Sequence, residues 1–302
     1  MTLKNFMAIG EAMIEMAVIG PDTYRRGFAG DTFNTLWYLA KVMPDNWKVS
    51  YFTGLGSDAA SSEMRAFGED ANIDMTPARE VEGKTVGLYM IHLDDGERSF
   101  SYWRSDSAAR QMAADPKALR EAFAQADVLF FSGITFAVVL PEHRETFLAE
   151  LAHARREGKT VVYDPNQRLR LWPSTADMIE ANTRAAQVSD IVLPSFDEEH
   201  AYYGDETPEA TIARYQAEGV KTVIVKNGAG AVLAQTVGED AITVTPKIVT
   251  NVVDSTAAGD SFNAGFCAAF FNGKPLDEAI QAGAKLAGKV VQSHGALVEI
   301  SE

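Results

Sequence analysis

"DSTAAGDSFNAGF", residues 254–266, is the stretch on which the fold turns. A strand-like run, "TPKIVTNVV" (245–253), leads into it, and Phe262, Phe266, Ala269 and Phe270 leave it at helical spacing. The loop 256–259 therefore stands where a helix begins. Backbone N–H groups at a helix N-terminus lack helical acceptors and carry partial positive charge. Small side chains let an anion approach them closely. Ala257, Ala258, Gly259 and Asp260 are thus expected to form an anion cradle, with Asp260 in the first helical turn. No Walker-type lysine accompanies it, so P-loop chemistry is not implied. Two readings of Asp260 stand side by side. It caps the helix and meets its dipole, or it accepts the proton of a hydroxyl that attacks a bound phosphoryl group. Asp254, ahead of the loop, either caps the turn or holds a Mg²⁺-bound water.

Working outward, short apolar runs alternate with amphipathic stretches. "NFMAIG" (5–10), "KVSYFTGLG" (48–56), "DVLFFSGI" (127–134), "TVVYDPN" (160–166), "DIVLPS" (190–195) and "KTVIVKNG" (221–228) read as strands. Residues 32–43, 61–72, 142–158, 174–187 and 207–219 carry helical periodicity, the first with Asp31 or Thr32 as its cap. Nearly continuous apolar strands alternating with helices predict an α/β fold, a mostly parallel sheet covered on both faces. "TVGLYMIHLDDGERSFSYWRS" (85–105) alternates in period two around "DDGE", a hairpin signal. With "EMAVIGPDTYRRG" (15–27) it is expected to form a small antiparallel lid, from about 12–30 and 84–105, inserted in one domain spanning 1–302.

The chain has 302 residues, a formal net charge of −15 and one cysteine. An acidic surface repels nucleic acid and anionic membrane, so neither is an expected partner. It also repels an anionic substrate, so a site for one needs local cations. One cysteine, Cys267, excludes an intrachain disulfide and reads as a small buried hydrophobe. No run approaches the ~18 apolar residues of a membrane helix, and the N-terminus lacks the pattern of a secretory leader. A cytoplasmic protein is expected. The five histidines show no zinc spacing, and no G-x-S-x-G elbow is present.

"DSTAAGDSFNAGF" resembles the signature of the ribokinase-like (PfkB) carbohydrate kinases, D-T-x-G-A-G-D followed by a helix, with Ser255 for the common Thr and Ala257 for the common Gly. The resemblance extends along nearly the whole chain. "GE" (10–11) with "GFAGDTFNTLWYLAK" (27–41) is similar to a G-G-x-x-x-N-x-A signature, in which Ala29 replaces the first Gly while Gly30 and Asn34 match. "GLGSDAAS" (54–61) resembles G-x-D-x-x-G, and "KNGAGAVL" (226–233) resembles the G-x-x-G turn over the nucleotide phosphates. "SFDE" (195–198) resembles N-x-x-E, with Ser195 replacing Asn and Glu198 matching.

The resemblance implies ATP and Mg²⁺. Asp260 becomes the base, and the N–H groups of 257–260 the anion hole. Glu198 meets Mg²⁺ through water. Asn166, Ser195, Lys226, Gly228, Gly230 and Gly259 lie against the nucleotide, with Asp164 near the phosphates or the metal. Adenine is expected near residues 279–292.

For the acceptor, "RRGFAGDTFN", "GLYMI", "ERSFSYWR" and "DPNQRLRLW" are together similar to kinases of 2-keto-3-deoxygluconate. Tyr102, Arg104 and Arg168 then bind the acid sugar, Tyr89 packs on it, and Gly30 and Asn34 meet its hydroxyls. A guanidinium offers a bidentate match to carboxylate. Plainer readings stay beside these: Arg104 and Arg168 as ordinary salt bridges, Tyr89 and Tyr102 as lid packing. So do a kinase of a neutral sugar such as fructose or ribose, and a non-catalytic binding protein of the same fold. A homo-oligomer through the lid is a further expectation.

Overall fold

A computed structural model describes residues 3–20, 22–94 and 97–300. The strands are β1 (Lys4–Ile9), β2 (Met13–Gly20), β3 (Thr23–Ala29), β4 (Trp47–Phe52), β5 (Gly54–Leu55), β6 (Arg79–Glu80), β7 (Gly87–Asp94), β8 (Glu97–Trp103), β9 (Val128–Ser132), β10 (Thr160–Asp164), β11 (Ile191–Val192), β12 (Thr222–Val225), β13 (Val232–Thr236) and β14 (Ile242–Val244). The α-helices are α1 (Asp31–Val42), α2 (Ala59–Asp70), α3 (Pro116–Ala124), α4 (Gly133–Val138), α5 (Arg144–Arg156), α6 (Thr175–Gln187), α7 (Phe196–Tyr203), α8 (Pro208–Ala217), α9 (Ala258–Phe271) and α10 (Leu276–Val290).

Eight strands form the main sheet in the order β14-β13-β12-β11-β10-β9-β1-β4. Pairing is parallel from β4 to β12 and antiparallel through β13 and β14. The strands are mainly apolar because both faces are covered. Phe6, Ala8, Val128, Phe130, Val162 and Ile224 point into one core with α1, α9 and α10. Met7, Ile9, Leu129, Phe131, Val161 and Val223 point into the other with α3, α5, α6 and α8. Successive residues of one strand thus serve opposite cores, as the pleat requires. From β1 the main sheet grows outward to β4 on one side and from β9 to β14 on the other. The crevice beyond the C-terminal ends of β1 and β9 is where such a sheet places a ligand.

A second sheet, ordered β3-β2-β7-β8, stands over that crevice. The lid was expected to be antiparallel. Its two hairpins are antiparallel, but the inner strands β2 and β7 run parallel. Each hairpin leaves the body at a different point of the chain and returns, so the two inner strands meet in the same direction. Residues 95 and 96 of the expected "DDGE" turn lie outside the described residues.

Two local expectations are corrected. Residues 245–253 form no strand. The N–H groups of Val253 and Asp254 turn instead to the carbonyl of Val291 at the end of α10, and Ile248 and Val252 stay exposed. Neither Asp31 nor Thr32 caps α1. Gly30 is the cap residue, because a Cβ there would stand 2.1 Å from the Glu11 carbonyl oxygen. Asp31 is left free to face the crevice.

Candidate active site

The crevice is a cavity of about 460 Å³ between lid and body. The cradle loop closes one end. Asp254 caps its turn: Oδ1 accepts from the N–H and hydroxyl of Thr256, and Oδ2 from the N–H of Gly295. Asp254 does not line the cavity. Ala257 takes the left-handed conformation, φ 59°, and turns the chain into α9. The Ala258 N–H is drawn into that turn by the Ser255 carbonyl, 3.1 Å away. The cradle therefore narrows from the four N–H groups expected to those of Ala257, Gly259 and Asp260. The last two lie in the first helical turn, where no helical acceptor exists.

Asp260 stands on the floor of the cavity. Asn34 Nδ2, from α1, donates to its Oδ2 at 2.8 Å. Asn34 Oδ1 in turn accepts from the Gly30 N–H at 3.3 Å. Burial pushes the Asp260 carboxyl up to about 8, and the nearby charges of Asp31 and Asp164 push the same way. A carboxyl raised this far is a stronger proton acceptor than an ordinary one. Asp31 is raised by burial too, and accepts from Asn166 Nδ2 at 2.9 Å.

Beside it lies a buried cluster. Asp164, at the end of β10, accepts from Lys226 Nζ at 3.2 Å and from Asn263 Nδ2 at 2.6 Å. Its other oxygen accepts from the Asn166 N–H at 3.2 Å. Asn166 holds a positive φ of 33°. Lys226 Nζ reaches to 3.7 Å from where a Cβ on Gly259 would stand, so a cation lies against the cradle.

Arg168 Nη1 donates to Glu198 Oε1 at 2.8 Å and to the Gln167 carbonyl at 2.7 Å. The Gln167 N–H donates to the other Glu198 oxygen at 3.0 Å. The arginine expected for substrate and the glutamate expected for metal are therefore partners of each other. Burial raises the Glu198 carboxyl, although the Arg168 guanidinium opposes it. Arg104 pairs with Glu11, whose side chain is wholly buried and also accepts from the Ser107 hydroxyl. Both arginines thus make the salt bridges of the plainer reading while lining the cavity. On the lid, Tyr89 and Tyr102 stack with centroids 5.9 Å apart, and Tyr89 donates to Glu15.

Of the residues expected at a site, the structure brings together Gly30, Asn34, Tyr89, Tyr102, Arg104, Asn166, Arg168, Ser195, Glu198, Lys226 and the loop 257–260. Gly228 and Gly230 are not with them; they form the turn after β12, with Gly228 at φ 53°. Arg170, Asp31 and Asn263 were not anticipated. Asn263 carries a readable signal, an amide one turn after Asp260 with only apolar residues following it in the helix. A second hollow of about 690 Å³ lies between residues 245–251 and the face of α10 that carries Gln281, Lys285 and Gly288.

An aspartate beside unpaired helix N–H groups, under a lid and next to a buried lysine, is phosphoryl-transfer architecture. Residues 4–301 match the pfkB family carbohydrate kinase family. The chain belongs to it. It is 38% identical over 303 residues to the 2-dehydro-3-deoxygluconokinase of Escherichia coli, covering 98% of this chain and 97% of that one. It is equally 38% identical over 307 residues to the 2-dehydro-3-deoxygluconokinase of Dickeya dadantii, covering 99% and 98%. Among solved structures, a PfkB protein from Polaromonas sp. JS666 superimposes with a TM-score of 0.83 at 26% identity, covering 96% of each chain. This pfkB-family chain is accordingly a sugar kinase, and its mostly parallel sheet with helices on both faces is the ribokinase-like fold.

Proposed function

We propose that the chain transfers the γ-phosphoryl group of ATP to the 6-hydroxyl of 2-keto-3-deoxygluconate. The observation that carries this is one cavity holding a proton acceptor in an anion cradle, Asp260, together with three arginines for an acid sugar, in a protein of net charge −15. Asp260 takes the proton of the attacking hydroxyl. The hydroxyl oxygen bonds to the γ-phosphorus as the bond to the ADP oxygen breaks. The N–H groups of Ala257, Gly259 and Asp260 meet the charge on the transferring group. Lys226, held by Asp164 and Asn263, points its Nζ at the same place and can offer it an N–H donor. The lid closes over the acceptor and excludes water, which limits wasteful ATP hydrolysis.

The hollow against α10 fits the nucleotide base, as the expected adenine position requires; Gly288 leaves room there, since a Cβ would stand 3.1 Å from Val249. Glu198 and Asp164 have the hard oxygen donors that suit Mg²⁺. Among the described residues no group of three or more His, Cys, Asp or Glu is placed to cage a metal, and both carboxylates already face a cation side chain. Through water, they would hold a Mg²⁺ brought in with the nucleotide, and the ion would supply charge neutralisation there. Trp103, exposed on the lid face opposite Tyr102, supports a homo-oligomer through the lid, which light scattering tests. Among the described residues no helix is long and apolar enough to cross a membrane.

A coupled ADP-release assay with Mg-ATP, comparing 2-keto-3-deoxygluconate with fructose, ribose and gluconate, tests the substrate. Strong selectivity for the keto acid is expected. Preference for a neutral sugar would overturn the acid-sugar reading.

A further inference from the structure

Four cationic side chains line the cavity, and three of them already have carboxylate partners. Arg104 is held by Glu11, Arg168 by Glu198 and Lys226 by Asp164. Two of these pairs are deeply buried: the Glu11 and Arg104 side chains are 0% and 11% exposed, those of Asp164 and Lys226 7% and 10%. Withdrawing a partner from such a pair leaves a buried charge uncompensated, which is strongly unfavourable. These cations can still offer spare N–H donors, but their charge is spent within the protein.

Arg170 differs. It lies in the short 3-10 turn Leu169–Leu171 that follows β10, and it lines the same cavity. It has no carboxylate partner among the described residues. Its guanidinium lies over the Tyr102 ring, 4.4 Å from the centroid, and donates to the Tyr102 hydroxyl. Tyr102 belongs to the lid and Arg170 to the body, so this is a contact across the mouth of the site. Stacking fixes the plane of the guanidinium while most of its five donors stay unused.

We infer that Arg170 is the principal receptor for the carboxylate of the acid sugar, and that it sets the preference for acid over neutral acceptors. Arg104 and Arg168 then supply hydrogen bonds with their charges already neutralised. Because Arg170 leans on Tyr102, carboxylate binding also steadies the lid over the acceptor. The inference rests on the acid-sugar reading above and assigns that reading to one side chain.

The test measures kcat/KM for 2-keto-3-deoxygluconate and for 3-deoxyfructose, which keeps the ketone and replaces the carboxylate by a hydroxymethyl group. Wild type, Arg170→Gln, Arg170→Lys and Tyr102→Phe are compared. Arg170 is exposed, so its variants keep the fold, and equal melting temperatures check this. In Arg170→Gln the acid-to-neutral ratio falls about 10- to 100-fold, the range of a lost hydrogen bond between charged groups, through KM rather than kcat. Arg170→Lys recovers part of the ratio, since the charge returns without the fork. Tyr102→Phe keeps the ring under the guanidinium and most of the ratio. An unchanged ratio in Arg170→Gln, or an equal loss on both acceptors, would overturn the inference while leaving the substrate reading intact. A wild type with no preference for the acid would overturn both.

Discussion

Replacing Asp260 by Asn should slow the enzyme and stabilise the fold, and the second effect should depend on pH. Asn keeps the shape and can still accept from Asn34 Nδ2, which now lies 2.8 Å from Asp260 Oδ2. It cannot take a proton from a hydroxyl, so kcat falls by about 10²–10⁴, the usual worth of a positioned base. The stability change follows from linkage. The folded carboxyl titrates near 8, against the ordinary 3.8. Between those values the folded wild type holds a proton that the unfolded chain has lost. Its stability therefore falls as the pH rises through that window. Full conversion at pH 7 gives an upper bound of about 4 kcal/mol. The cavity admits solvent to one side of the group, so ~1–2 kcal/mol is a fairer figure. Asn has nothing to titrate and escapes this loss. Urea unfolding of both proteins at pH 5 and pH 8 reads the difference: a small gap at pH 5, widening at pH 8 in favour of the variant. A gap that does not move with pH refutes the raised carboxyl. A kcat within tenfold of wild type refutes the base. The same titration predicts that wild-type kcat/KM rises with pH toward about 8, as the free enzyme loses this proton.

Arg168→Ala should raise KM for the acid sugar about tenfold or more, with kcat less affected, and initial rates over a substrate series check it. Gly30→Ala should lower stability by about 1–3 kcal/mol, the cost of overpacking. Its Cβ would stand 2.1 Å from the Glu11 carbonyl and 3.0 Å from the Ala12 Cα, both backbone that cannot swing aside. A shifted urea midpoint with unchanged slope is the expected readout. Ala257→Gly should stabilise by about 0.5–1 kcal/mol, since glycine accepts φ 59° without the steric cost that alanine bears there, and chemical denaturation measures it.

The local patterns were legible because they depend on neighbours in the chain. Period-two and helical spacing marked the strands and helices, and the apolar runs showed a sheet buried on both faces. The small-residue loop before Asp260 announced a helix N-terminus with room for an anion. The same reasoning failed at 245–253. An apolar run of β-type residues there has no strand beside it to pair with, and its donors go to the end of α10. It failed again at the start of α1, where the backbone of Glu11, nineteen positions before Gly30, leaves no room for a capping side chain.

The sequence by itself determined the class of fold, the family and the small-residue loop at the start of α9, since each is written in contiguous residues. Only the tertiary structure decided which charges neutralise which. Arg168 meets Glu198 across 30 positions, Lys226 meets Asp164 across 62, and Asn263 meets Asp164 across 99. The raised carboxyl of Asp260 comes from burial and from Asp31 and Asp164, two residues far away in the chain. Spacing along the chain carries no information about such distances in space. Charge pairing depends on them, and so does the cost of burying a carboxylate. Among the cations that line the cavity, Arg170 therefore emerges as the one without a carboxylate partner among the described residues only once the others have been seen with theirs.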